Sequence, residues 1–492
     1  MVPGIVWRDA PFCSCRPLDV HGPSARASDP SAVPLRRVGG AGGVLTRRSG
    51  LGGRFWSLFA SSTMSNLGDG IGRVGFPLLA ATLTRDPVLI ASFTTFAFLP
   101  WLLFALVSGA LVDRLDRRRV MMGANLFRSV VVGALAASVV AGEARIWMLY
   151  VAAFLLGTAE TLYDSAARAI LPQVVRRDQL EAGNGRLEAS EIACQSFLGA
   201  PVGSALFVVA AAGPFLANSV GFLIAAVLLF LVPGAYRVRR GERAEEVAGT
   251  GSAPRSKLRR EIGEGLRWLW RHRFLRSLMV LVSLVGMAQE AVMALLVLYV
   301  LEELALGEAA LGLFLVGAGA GGLVGGLLSE RLVRGFSRGR IIPLTILASG
   351  CAFALTGLVV VPAVLAVGLL VGAAAVTVFN VTTMVLRQTL IPAEMFGRVQ
   401  GAWRTLVWGM LPLGALLGGV VAAQFGVRAL YLGSGVLQLG LALALWAVLR
   451  GHRQLVDGLD ERGGAVAAPA SGEMPAAPDE EPRHQGTAGA GS

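Results

Sequence analysis

Twelve apolar stretches, each near 20 residues long, follow one another from Phe55 to Leu449 with short polar gaps between them. A hydrocarbon core about 30 Å thick needs about 20 helical residues rising about 1.5 Å each, so every stretch is long enough to cross a bilayer as an α-helix. The pattern predicts spans at approximately 55–82, 88–112, 120–141, 146–166, 186–211, 214–234, 274–300, 309–329, 341–361, 363–386, 400–423 and 427–449. The fold class this implies is an all-α membrane protein of twelve transmembrane helices.

Arginine marks the two sides. The gaps after even-numbered spans and the flanks hold Arg47, Arg48, Arg54, Arg168, Arg176, Arg177, Arg331, Arg334, Arg338, Arg340, Arg387, Arg398 and Arg450, and the loop after span 2 adds Arg114, Arg117, Arg118 and Arg119. The opposite gaps hold only Arg85, Arg145 and Arg428. Arginine collects on the cytoplasmic face of a bilayer, so a multi-pass protein of the cell membrane with both termini cytoplasmic is expected.

Composition agrees with this reading. Hydrophobic residues make up 54% of the chain and charged ones 15%, and the mean hydropathy of +0.64 exceeds that of a soluble domain. The formal charge of +12 could point to nucleic acid. The arginines lie in gaps between spans, however, where topology and anionic lipid account for them. Four cysteines and four histidines form no disulfide or metal-ligand pattern. Residues 1–53 are rich in Pro, Gly, Ser and Arg without an apolar run, and read as a disordered cytoplasmic head rather than a signal peptide. Residues 451–492 read as a disordered tail.

The one long internal gap, 236–273, is a basic cytoplasmic linker carrying Arg259, Arg260, Arg267 and Arg271 along a surface helix. It separates a first bundle of six spans, 54–235, from a second, 274–450. The halves repeat at an offset of about 218 residues. Arg54-Phe55 matches Arg273-Phe274, Asp113-Arg114 matches Glu330-Arg331, and Arg168 with Pro172 matches Arg387 with Pro392. Pro201 and Gly203 match Pro412 and Gly414 at a slightly smaller offset. A parallel six-plus-six repeat sets a pseudo-two-fold axis along the membrane normal and a site between the halves near mid-depth.

On these residues the chain resembles the major facilitator superfamily over essentially all of 54–450. The loop Gly109-Ala-Leu-Val-Asp113-Arg114-Leu-Asp116-Arg117-Arg118-Arg119 is similar to its G-x-x-x-D-R-x-G-R-R signature, with Asp116 in place of the usual glycine. Gly326-Leu-Leu-Ser-Glu330-Arg331 is similar to the degenerate second copy. Asn66-Leu-Gly68-Asp69-Gly70 and Leu180-Glu-Ala-Gly-Asn184 resemble the branch of macrolide-efflux proteins and the enterobactin exporter. Gly199-Ala-Pro201-Val-Gly203-Ser204 is similar to an antiporter-associated motif of helix 5, with Ala200 and Ser204 as departures. The resemblance implies that Asp113 faces the positive N-terminal end of span 11 and latches the cytoplasmic side, where a carboxylate gains about 0.3–1 kcal/mol. The neighbouring Gly109, Arg114, Arg117, Arg118, Gly326, Glu330 and Arg331 belong to the same conformational device.

Charges inside the spans are the candidate coupling groups, because a mid-bilayer charge costs upward of about 2.5 kcal/mol. Asp69 and Arg73 stand at i and i+4 on span 1, placed either to pair or to couple transport. Glu290, beside Gln289, takes nearly the equivalent depth in span 7, with no basic residue within a turn. Low dielectric favours the protonated form of an isolated carboxyl, the property a proton carrier near neutral pH requires. Glu160, Asp164 and Arg168 make one stripe on span 4, and span 5 begins with Arg186, Glu188 and Glu191; they either cross-link the two spans or line a cytoplasmic vestibule. Arg128 is close enough to the cytoplasm to snorkel. Glycine-dense spans 8 and 11 suit close packing and sliding, and Pro100, Pro201 and Pro412 offer bend points.

The function expected is a secondary active transporter: proton-coupled efflux of a small amphipathic molecule, a drug, macrolide or siderophore-like compound, by alternating access. Uptake by the same machinery, and a sensor or scaffold that has lost transport, are the alternatives. No P-loop, H-E-x-x-H or G-x-S-x-G occurs, so neither an enzyme nor an ATP-driven pump is expected. The partners expected are a small-molecule cargo and the lipid bilayer, with no nucleic acid, no cofactor beyond a proton gradient, and a monomeric state.

Overall fold

The computed structural model describes residues 51–112, 115–176, 179–231, 236 and 254–452. These residues form thirteen helices. Six make the first half: α1 (Gly53–Leu83), α2 (Pro87–Val112), α3 (Arg117–Val140), α4 (Ile146–Val174), α5 (Leu180–Val209) and α6 (Gly213–Phe230). A linker helix, α7 (Pro254–Arg271), follows. The second half holds α8 (Arg273–Ala294, continued by Leu296–Leu298 and Tyr299–Glu303), α9 (Glu308–Gly335), α10 (Arg338–Leu358), α11 (Pro362–Leu390), α12 (Ala393–Gly409 and Leu411–Phe425) and α13 (Val427–Gly451).

Eleven of these helices are long and apolar enough to cross a membrane. The twelfth expected span, α1, is 31 residues long. Its run Ser61-Ser-Thr-Met-Ser65-Asn66 and the charges of Asp69 and Arg73 hold its hydropathy down. Helices overrun the predicted spans mainly on the arginine-rich side: α4 extends to Val174 and α5 begins at Leu180. Hydropathy marks only the part of a helix immersed in lipid, whereas the backbone ladder continues into water.

Small residues set the crossings within each half. A Cβ added to Gly70 of α1 would lie 2.7 Å from the Cα of Gln195 on α5, and one added to Gly203 would lie 2.6 Å from the Ile71 carbonyl oxygen. Gly199 meets the Gly70 backbone equally closely. The second half repeats the crossing: a Cβ on Gly414 of α12 would come within 2.6 Å of Met287 Cα on α8, and Gly418 packs on Ala291. Both crossing helices are irregular there. Pro201 has no N–H to close the ladder on the preceding turn, and α5 widens into a π segment at Ala193–Gly199. α12 breaks at Met410, just before Pro412. Pro100, by contrast, sits inside an unbroken α2.

The halves meet along two seams, α2 against α12 and α5 against α9. In the first, Gly419 lies against Pro87, Val88 and Ala91, and the Thr95 hydroxyl donates to the Pro412 carbonyl at 3.1 Å. In the second, Gly312 abuts Ala200 and Gly319 abuts Ser196. Arg85 and Glu302 add an ion pair at 3.6 Å at the arginine-poor end. These joining contacts lie at that end and at mid-depth; one cavity opens beside Ser196 and Gly319 at mid-depth, and another lies toward the arginine-rich side, beside Ser108, Arg168 and Arg404.

On the arginine-rich side, Asp116 explains the departure at the signature's glycine position. Its Oδ1 accepts from the Arg119 amide at 3.2 Å, capping α3, and its Oδ2 accepts from the Tyr236 amide at 3.2 Å. The linker helix α7 is fastened to the second half: Arg398 pairs with Glu264 at 2.9 Å, Gly265 lies against the Arg398 carbonyl, and Leu269 is buried with Phe274 and Leu275.

Candidate functional site

The first half brings three helices to one buried guanidinium. Arg128 of α3 retains 2% of its side-chain exposure; its Nη1 stands 3.5 Å from Asp69 Oδ2 of α1 and its Nη2 3.8 Å from Glu160 Oε2 of α4. Nη1 also donates to the Ser65 hydroxyl at 3.4 Å, and Ser65 in turn donates to Asn125 Oδ1 at 3.3 Å. The Phe222 and Tyr163 rings flank the guanidinium at 4.9 and 5.6 Å. Asp69 and Glu160 keep 29% and 45% exposure, so the arginine is enclosed while its two acids reach outward.

This geometry corrects two expectations. Asp69 does not pair with Arg73 one turn on; Arg73 donates instead to Gln195 Oε1 of α5 at 2.5 Å. Arg128 does not snorkel. It faces the bundle interior, where two carboxylates offset the cost of burying it. Asn66 Oδ1 accepts from Gln195 Nε2 at 3.3 Å, so Arg73, Gln195 and Asn66 form a second polar link between α1 and α5.

Glu290 of α8 is half-buried, and Arg73 acts on it electrostatically from the opposite half. Gln289 accepts from the Ser349 hydroxyl at 3.5 Å inside the second half. Asp164 pairs with Arg168 at 3.8 Å, as the i, i+4 stripe predicts. Glu191 is exposed on α5.

Two cavities lie between the halves. One, of about 430 Å³, is bounded by Arg73, Glu188, Gln195 and Ser196 on one side and by Gly319 and Thr377 on the other. The second, of about 270 Å³, lies between α2, α4 and α12 and includes Asp164, Arg168 and Arg404 in its wall. Neither wall includes a residue of α8. Among the described residues, no three His, Cys, Asp or Glu gather as a metal site would require.

Asp113 and Arg114, and the surroundings of Gly109, lie outside the described residues. Of the other signature residues, Arg118 donates through its Nε and Nη2 to the Leu229 and Phe230 carbonyls at 2.8 and 2.5 Å, closing the end of α6. Arg117 is buried beside it, its amide donating to the Tyr236 carbonyl at 3.3 Å. On α9, Glu330 pairs with Arg334 one turn on, Arg331 is exposed, and Gly326 has no neighbour where a Cβ would stand. In the helix-5 motif, Gly199 and Gly203 face α1 while Ala200 and Ser204 face α9, so the two departures from the pattern lie on the side that meets the other half.

The sequence profile of the transmembrane secretion effector family matches residues 52–460. The chain belongs to that family. It is a multi-pass membrane protein with the major facilitator fold. It is 22% identical over 395 residues to macrolide efflux protein A of Streptococcus pyogenes, covering 79% of this chain and 94% of that one. It is 28% identical over 400 residues to the multidrug efflux pump Tap of Mycobacterium tuberculosis, covering 78% and 91%. Among solved structures, the nucleoside transporter NupG aligns with a TM-score of 0.67 at 13% identity, over 81% of this chain and 99% of that one. A bacterial homologue of the iron transporter ferroportin in an inward-facing state aligns at 0.60 and 15%, over 80% and 98%. At such identities the structural likeness carries the fold alone.

Arg128, Gln195, Arg404, Trp101 and Trp408 were not among the coupling candidates that the sequence singles out. Intramembrane charge was a usable signal for the two arginines. Which helix faces they share could not be read, because most of these spans are apolar nearly all round.

Proposed function

We propose that the chain is a proton-coupled exporter of small amphipathic molecules, working by alternating access across the cell membrane with both termini cytoplasmic. The observation that carries this reading is Arg128, enclosed between Asp69 and Glu160 inside the first half. Two carboxylates share one arginine, so protonating either leaves the other paired, and the buried charge is satisfied in both states. Such a cluster loads and releases a proton without stranding an ion in low dielectric. Glu290 supplies a third acid on the second half, and its electrostatic link to Arg73 ties its charge to the distance between the halves.

Export rather than import rests on similarity to macrolide efflux protein A and Tap, whose names describe efflux. An amphipathic cargo suits cavities lined by both apolar and charged groups. In the form described, the halves are joined at the arginine-poor end, which positive-inside topology makes the outside, so cargo would load from the cytoplasm.

Inverted vesicles with an imposed pH gradient, offered a panel of antibiotics and dyes, test the reading. Gradient-dependent uptake is expected in the native protein and is expected to fall at least tenfold in Asp69→Asn and in Glu290→Gln. Full activity in both variants, or no gradient-dependent uptake of any compound, would remove proton-coupled export.

A further inference from the structure

The cavity between α2, α4 and α12 holds chemistry that the coupling scheme leaves unused. Two indoles, Trp101 of α2 and Trp408 of α12, stand with ring centroids 5.6 Å apart and planes inclined at 54°. The guanidinium of Arg404 lies 5.4 Å from the first ring's centroid and 4.5 Å from the second's. Among the described residues Arg404 makes no hydrogen bond or ion pair; Arg168 repels it and Asp164 attracts it only at longer range. Asp164 is already engaged with Arg168 at 3.8 Å. Two guanidiniums therefore share a wall with a single carboxylate, and the positive charge left over sits between two aromatic faces.

A guanidinium stacked on an aromatic face keeps its in-plane N–H donors free at the edge. A planar carboxylate fits that edge with two parallel hydrogen bonds, and an attached ring fits the indoles by offset or edge contact. A cation would meet the surplus positive charge, and a neutral ring would gain the stacking alone. The volume of about 270 Å³ lies at the small end for ligand pockets and suits one or two fused rings.

We propose that this cavity is a subsite for aromatic anions, with the oxyanion on the Arg404 edge and the ring against Trp101 and Trp408. The proposal rests on the export reading in that it names a cargo class, or the recognised part of a larger cargo, for that transporter. The walls come from both halves, α2 and α4 from one and α12 from the other. Any rocking of the halves changes the distance from Arg404 and Trp408 to Trp101, so binding and conformation are coupled.

Equilibrium dialysis of the full chain in zwitterionic nanodiscs, with 2-naphthoate and its neutral isostere 2-naphthamide, tests the charge preference without any gradient. The native protein is expected to bind naphthoate at least tenfold more tightly than naphthamide. R404Q is expected to abolish that difference while still binding naphthamide, which also reports that the variant is folded. D164N, which removes the competing carboxylate, is expected to tighten naphthoate severalfold and leave naphthamide unchanged. Equal affinities in the native protein, or a naphthoate preference that survives R404Q, would overturn the proposal. A preference found in a protein that moves no compound in vesicles would count against export and leave the subsite standing.

Discussion

The two halves of this molecule share a backbone plan and differ in what their interiors carry. Each packs its fifth span on its first through glycines, at Gly70 with Gly199 and Gly203 in one half and at Gly414 and Gly418 in the other, and in each the crossing helix is irregular beside a proline. The first half then fills its interior with charge: Asp69, Arg128 and Glu160, with Asp164 and Arg168 below them. Apart from Glu290, the second half relies on stacking and neutral hydrogen bonds. Arg387, the repeat counterpart of Arg168, donates to Gln400 Oε1 at 3.0 Å and to the Thr383 carbonyl at 3.2 Å and lies over the Trp403 ring; among the described residues it has no ion pair. Backbone approach tolerates little change because a single Cβ would collide with main chain. Side-chain chemistry on the same frame is free to diverge, and the charged cluster that the proposed coupling uses lies in one half.

The largest test of this contrast is Arg128→Gln against Arg387→Gln. Removing Arg128 strands two acids. A fully buried pair would cost about 3–5 kcal/mol to break, and since Asp69 and Glu160 keep 29% and 45% exposure, about 2–3 kcal/mol is expected. Arg387→Gln loses neutral-partner hydrogen bonds and a cation–π contact, about 1–2 kcal/mol. Thermal unfolding in detergent measures both, and equal losses would erase the distinction. Next in size, Gly70→Ala and Gly414→Ala should each cost about 1–3 kcal/mol by overpacking. Here the halves are expected to respond alike, and a tolerated Gly414→Ala would break the symmetry of the crossings.

The smallest effect separates the two first spans. α1 begins at Gly52 without a side-chain cap, whereas α8 begins at His272, whose Nδ1 accepts the Leu275 amide at 3.3 Å. Burial holds the His272 imidazole below its ordinary 6.5. The unfolded chain therefore takes up this proton first, so the contribution is intact above pH 6.5 and shrinks as pH falls below it. His272→Asn keeps a cap and is expected to remove up to about 1 kcal/mol of that acid sensitivity, read from melting temperatures at about pH 7.5 and about pH 5.5. A native protein whose melting does not change with pH would show that the cap contributes nothing.

The spans, the repeat and the family were legible in the sequence because hydropathy and glycine spacing are written along one helix at a time. Membership of a helix was legible too: Asp69, Glu160 and Glu290 lie within α1, α4 and α8. Facing was not. Asp69 has Arg73 at the spacing that favours pairing, yet its ion partner is Arg128, because the rotation of each helix about its axis is fixed by neighbours such as Gly70 on Gln195. Distance along the helix from the membrane edge suggests snorkelling for Arg128, a measure that cannot tell an inward arginine from a snorkelling one. The Trp101, Arg404 and Trp408 group joins spans 2 and 11, some 300 residues apart in the chain, and only the meeting of the halves assembles it.

The fastening of α7 to α12 has a practical consequence for anyone wishing to divide this polypeptide. Glu264, Gly265 and Leu269 commit the amphipathic helix to the carboxy-terminal partner, so the natural place to cut is upstream of Pro254 rather than midway through the segment that joins the bundles. A fragment starting there takes this bracing helix with it, and the amino-terminal fragment keeps the described contacts of Tyr236 with Asp116 and Arg117.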